Sequence, residues 1–168
     1  MNLSPTNIRH IGSINRGILV ETSTVSNAIY LTNGGTATIF KVYGKIKVLS
    51  LEWEAMSTAA ADAYTMQFKY VSTDPVVSTA QISNASSSIA NLGRGGRVTL
   101  MGTALSTAAL LSVPGISFST STFLELGIQD GEGNITALGA GASQSSGTGK
   151  WSLCYVPMSE GAYAEACF

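Results

Sequence analysis

This chain is short of charge. Charged residues fill 11% of its 168 positions, under half the share of about 25% usual in globular proteins. Disorder driven by self-repulsion needs high net charge and few apolar groups; a net charge of -1 beside 45% hydrophobic residues excludes it. The lysines and arginines form no stripe, only small groups: Arg9 with Arg16, Lys41 with Lys45 and Lys47, and Arg94 with Arg97. Non-specific nucleic-acid binding then lacks its counterion-release drive, and no nucleic-acid partner is expected.

Histidine and cysteine are scarcer in number, at one and two residues. His10 lies in a polar N-terminal segment whose nearest acid in sequence is Glu21. A Ser-His-Asp triad needs a rigidly held imidazole with a carboxylate behind it, so His10 is expected as a solvated or contact residue. Cys154, Cys167 and His10 show no metal-ligand spacing, and no metal or cofactor is expected. Long apolar runs are missing too. The stretch "ALSTAALLSVPGI" from Ala104 to Ile116 contains hydroxyls and Pro114 and falls short of the roughly 20 residues needed to span a bilayer. The start, "MNLSPTNIRHIGSINRG", has no apolar core of the signal-peptide kind. The expectation is a soluble chain with no membrane partner, no export address and free thiols at both cysteines.

The motifs of catalysis are equally thin. "GRGGRV" lacks the lysine-hydroxyl pair of a phosphate cradle. "DGEGN", Asp130 to Asn134, begins like an EF-hand loop, but its twelfth position is Gly141 where a bidentate glutamate belongs; a turn is expected there. Glu52 and Glu54 flank Trp53 on one strand face, as a glycosidase pair would. The alternation that buries Leu49, Leu51 and Trp53 sends both to the wet face, where they are surface charge. No catalytic residue is expected.

What the chain has in quantity is hydroxyls, with 22 serines and 17 threonines, and alternation. In Ala63 to Val71, Tyr64, Met66, Phe68 and Tyr70 point one way and Ala63, Thr65, Gln67 and Lys69 the other, as in a strand wet on one face. Gly17 to Val25 and Asn27 to Thr32 read as strands, and "NGG" at Asn33 to Gly35 as a hairpin turn onto Thr36 to Tyr43. In Lys45 to Met56 the apolar phase slips by one residue after Val48, which predicts a β-bulge or a change of sheet near Val48 and Leu49. Ile82, Ala85, Ile89 and Leu92 have helical spacing, so one or two helical turns are expected in a serine-rich stretch. Further strands are expected at Arg97 to Met101, Ile116 to Ser119, Thr122 to Ile128, Lys150 to Val156 and Gly161 to Ala166. Short strands with frequent turns imply an antiparallel β-sandwich or jelly-roll. The expected layout is an N-terminal arm over residues 1–16 and one β-sandwich domain over 17–168.

The aromatics concentrate at the C-terminus, in "GTGKWSLCYVPMSEGAYAEACF". Trp151, Leu153 and Tyr155 share a strand face, Pro157 ends that strand because it cannot donate to a ladder, and the returning strand supplies Tyr163. The expectation is a terminal hairpin whose rings lock it onto the core.

The pattern W-S-L-x-Y-x-P-M-x-x-G-A-Y, downstream of "ATIFKVYGKIKVLSLEWEAM", resembles small structural proteins of tailed bacteriophages, the head decoration or cement proteins. Ile39, Phe40, Val42, Gly44, Ile46, Val48 and Leu51 match their first strand block; Gly147, Thr148, Gly149, Trp151, Tyr155, Pro157, Gly161 and Ala162 match the second. Met158 stands where leucine is usual and Ala164 where valine is common; the middle, Ser72 to Leu138, matches only in composition. The resemblance implies a virion protein on the outer capsid surface, a homotrimer that binds the major capsid protein and catalyses nothing. Candidate capsid or subunit contacts are Ile8, Arg9, His10, Arg16, Arg94 and Arg97. The segment before Gly17 is either an arm adding a strand to a neighbouring subunit or a frayed terminus. The rival is a phage tail fibre or tip module that binds a host receptor.

Overall fold

The computed structural model describes residues 17–100, 110–112 and 124–168. The proposed arm, with Ile8, Arg9, His10 and Arg16, lies outside them, as do the Pro114-Gly115 turn and the strand expected at Ile116 to Ser119.

Two antiparallel sheets face each other across one hydrophobic core. The strands are β1 (Ile18–Glu21), β2 (Val25–Ser26), β3 (Thr36–Tyr43), β4 (Ile46–Ala55), β5 (Tyr64–Asp74), β6 (Ser78–Gln81), β7 (Arg97–Leu100), β8 (Leu110–Ser112), β9 (Leu124–Leu126), β10 (Glu132–Gly141), β11 (Thr148–Pro157) and β12 (Tyr163–Ala166). The first sheet runs β1-β11-β4-β7-β8, with β2 also on β11 and β9 also on β4; the second runs β12-β3-β10-β5-β6. This is the expected all-β sandwich.

Alternation builds the core. From β5, Tyr64, Met66, Phe68 and Tyr70 are buried while Thr65, Gln67 and Lys69 are not. From β4 and β11 come Leu51, Trp53, Trp151, Leu153 and Tyr155, with Trp53 directly opposite Trp151 in register. Small residues make room for the rings. A β-carbon at Gly139 would sit on the Tyr64 phenol, one at Gly133 on Tyr70, and one at Gly149 on the Trp53 indole.

The predicted irregularity in β4 is a bulge. Cys154 pairs with Ser50 and Tyr155 with Val48, so Leu49 is the extra residue. Ile46 and Val48 are buried before it, Leu51 and Trp53 after it, and Leu49 itself is only half-buried. A second bulge in β3 was not anticipated. Ile135 pairs with Phe40 and Thr136 with Thr38, which leaves Ile39 and Phe40 both buried.

Three sequence expectations are corrected. Asn27 to Thr32 is not a strand: Asn27–Tyr30 is a single helical turn, α1, and its four-residue spacing turns Asn27 and Leu31 inward together. "NGG" does form a turn, with Gly34 at φ +65 and the Gly35 amide donating to the Thr32 carbonyl at 3.0 Å. It leads from α1 into β3, whose partners are β10 and β12, so there is no hairpin.

The stretch from Ile82 to Leu92 is not helical either; it lies along the free edge of β5. Ile82 and Ser83 donate to the Phe68 carbonyl, Ser86 to that of Met66 and Ile89 to that of Tyr64. The β5 amides are met by hydroxyls: Phe68 donates to Ser83 Oγ at 2.8 Å and Met66 to Ser86 Oγ at 3.0 Å. Serine competes with backbone for backbone partners, and here that capacity completes a sheet edge. Ile82 and Ile89 are buried by this extended path.

Candidate functional site

The C-terminal strands do weld the fold together, although not as a hairpin. β11 lies in the first sheet, between β1 and β4, while β12 pairs with β3 in the second. The chain crosses from layer to layer after Pro157, which ends β11 as expected. Trp151 is 0% exposed and Tyr155 2%. The Tyr155 hydroxyl accepts a hydrogen bond from the Ala164 amide at 3.0 Å, a tie between the two sheets. The Trp151 amide donates to Thr22 Oγ1 and its carbonyl accepts from the Thr22 amide. Its indole is met edge-on by Tyr30 and Phe168, with centroids 6.2 and 5.6 Å away. The ends of the described chain thus close over one aromatic cluster.

Tyr163 departs from expectation. It is 46% exposed and stacks on Tyr43 across the β3–β12 pair, centroids 4.5 Å apart and planes 18° from parallel. Positions 163 and 165 share the outward parity of β12, so the ring joins a surface row. There Tyr43 donates to Glu165 at 3.1 Å, and Lys41 stands 4.0 Å from the same oxygen. The bond to Glu165, reinforced by that negative charge, raises the Tyr43 pKa above its ordinary value.

The outer face of the first sheet is a cross-strand ladder of charge. Lys150 pairs with Glu21 at 2.8 Å. Arg97 reaches Glu52 at 3.4 Å and Glu54 at 3.2 Å, and Ser152 donates to Glu52 at 3.1 Å. Both glutamates lie on the outer face as expected and pair there with Arg97. Arg97 therefore lies in ion pairs on a sheet face. Arg94 is exposed in the turn before β7, at the end of the sandwich where Ala55 closes β4.

The opposite end has a different character. Four turns converge there: β3–β4, β5–β6, β9–β10 and β11–β12. The Gly44 amide donates to the Gly131 carbonyl, the Met158 amide to that of Lys45, and the Lys45 amide to Ser159 Oγ. A β-carbon at Gly131 would press on both Ile128 and the Asp74 carbonyl, which brings the β5–β6 turn alongside. Val76, Val77, Ile128 and Met158 stand exposed on these turns. Among the described residues, the carboxylates of Asp74, Asp130, Glu132 and Glu160 make no hydrogen bond or ion pair. Lys45, the cation in the β3–β4 turn, is held by Glu125 at 2.5 Å; that contact pulls the Glu125 pKa below its ordinary value. Two shallow hollows flank Tyr43. One, of about 300 Å³, is lined by Gly44, Asp130, Gly131, Glu132, Glu160 and Gly161; the other, of about 140 Å³, by Lys41, Thr73, Glu132, Gly133 and Asn134.

Cys154 and Cys167 are free and half-buried, and burial raises both thiol pKa values. No cluster of three or more His, Cys, Asp or Glu side chains arranged to hold a metal occurs among the described residues. No protein-family model, curated protein or solved structure matches the chain.

The loop-end residues went unforeseen because their proximity depends on topology. Tyr43 meets Tyr163 only once β12 is known to pair with β3, whereas period-two reasoning joined the last two strands to each other.

Proposed function

We propose that this chain is a virion structural protein of a tailed bacteriophage, a head decoration or cement protein that binds the major capsid protein on the outer surface of the shell as a homotrimer. One observation carries the proposal. The two sequence blocks that resemble such proteins lie about a hundred positions apart, yet they pack as one unit. β4 and β11 pair along their length, and the Met158 amide ties the turn after β11 to Lys45 before β4. The proposed role is mechanical, and the ion pairs of Glu52 and Glu54 with Arg97 accord with it. Low charge and abundant Ser, Thr and Ala suit apposed surfaces, since small side chains lose little entropy on burial, and repetition over a symmetric shell turns weak contacts into avidity. Quantitative protein staining of purified virions tests this. Decoration requires hundreds of copies per particle; a handful of copies refutes it.

A second reading, a tail fibre or tip module that binds a host receptor, is favoured by the exposed Tyr163 stacked on half-buried Tyr43. It calls for low copy number and adsorption of the purified chain to host cells.

A further inference from the structure

We infer that the loop end carrying Tyr43 and Tyr163 is the docking surface, and that its partner presents arginine or lysine side chains within an apolar patch. The inference rests on the decoration proposal and adds which end faces the shell and what chemistry the shell must offer there.

Charge complementarity is the first support. Every other acidic side chain in the molecule has a partner: Glu21, Glu52, Glu54, Glu125 and Glu165 face cations, and Asp62 accepts from Ser145. The four that do not are gathered at this end, on turns that meet. Among the described residues this end holds four carboxylates with no ion-pair or hydrogen-bond partner, and a cationic surface is what would compensate them.

The second support is apolar. Four exposed hydrophobic side chains share these turns; among the described residues the other two exposed aliphatic ones, Leu19 and Ile29, lie elsewhere, on β1 and α1. Clustered exposed apolar residues mark interaction surfaces, whereas scattered ones mean little. The tyrosine pair adds a residue type enriched, with tryptophan and arginine, at the energetic centre of interfaces, and its ring face attracts arginine. A guanidinium entering the larger hollow would meet Tyr43, Asp130, Glu132 and Glu160, which line it together with three glycines.

The experiment uses the full-length chain and heads purified from phage lacking it, with bound protein measured by co-sedimentation. Wild type binds, and raising salt from about 0.05 to 0.5 M weakens binding, because surface charge is screened. Glu132→Lys with Glu160→Lys, and separately Tyr163→Ala, weaken it about tenfold or more. All three positions are exposed, and an unchanged melting temperature verifies folding. Arg94→Glu, at the opposite end, binds as wild type does. If wild type binds but the loop-end variants match it, or if Arg94→Glu alone abolishes binding, the docking end is wrong while the decoration proposal survives. If wild type ignores the heads, or adsorbs through Tyr163 to host cells instead, both fail.

Discussion

Replacing Ser83 and Ser86 by alanine isolates the device that seals the edge of β5. Both serines are buried, at 0% and 5% exposure, and each hydroxyl accepts one backbone N–H, from Phe68 at 2.8 Å and Met66 at 3.0 Å. Alanine removes the acceptor and leaves a buried amide unpaired. Such an orphan costs its desolvation penalty, about 1–3 kcal/mol, whereas an ordinary surface change stays within about 0.5 kcal/mol. For a domain of this size each kcal/mol lowers the melting temperature by about 2–4 °C. Each single variant should therefore melt about 2–12 °C below wild type. The double variant should fall further, though not necessarily by the sum, since both serines brace one strand. Ser87→Ala is the control: its side chain is exposed in the same segment, and its melting temperature should not move. Calorimetry or thermal circular dichroism reads the shifts, and hydrogen exchange at Met66 and Phe68 should lose protection in step. If Ser83→Ala and Ser86→Ala melt with Ser87→Ala, the hydroxyls do not complete the sheet edge, and the account of this segment fails.

Two further outcomes follow from buried phenols. Burial pushes the Tyr64 pKa up to about 12, against about 10 in an unfolded chain. Between those values the unfolded state has given up a proton that the folded state keeps, so stability falls as pH rises through that window. Tyr64→Phe should flatten the urea-measured slope there by about 2–3 kcal/mol in total; equal slopes in variant and wild type would contradict it. Tyr155→Phe strips the Ala164 amide of its acceptor and should lower stability by about 1–3 kcal/mol, seen as a lower urea midpoint at unchanged m-value; an unchanged midpoint would show that the tie between sheets carries no stability.

The parts of the fold legible beforehand were those governed by local period. The alternation of Tyr64 to Tyr70 survives intact because a one-sided strand leaves its code in every second residue. The bulge at Leu49 was readable for the same reason, since a phase error needs an extra residue to absorb it. What failed was pairing. Residues 82–92 carry apolar spacing that also satisfies a helix, and their serines decide the matter only through distant amides on β5. The last two strands look like a hairpin from the turn alone; their assignment to different sheets depends on β1 and β3 competing for them. Of the loop end, Tyr163 was noticed but assigned to the interior. Glu132, Glu160 and Ile128 give no signal singly, because what marks them is the company that four separate turns provide.

The position of β11 between β1 and β4 bears on how the protein is made. Trp53 and its register partner Trp151 stand 98 positions apart, and β4 lacks its β11 neighbour until the later strand exists. At about 5–20 residues per second a ribosome needs roughly 5–20 s to cover that interval. Throughout it, β4 displays Leu51 and Trp53 with no neighbour on its β11 side. The nascent chain must therefore either be shielded by a chaperone or stay soluble by its own hydroxyls, and variants richer in apolar surface should be lost during synthesis even where the finished fold tolerates them.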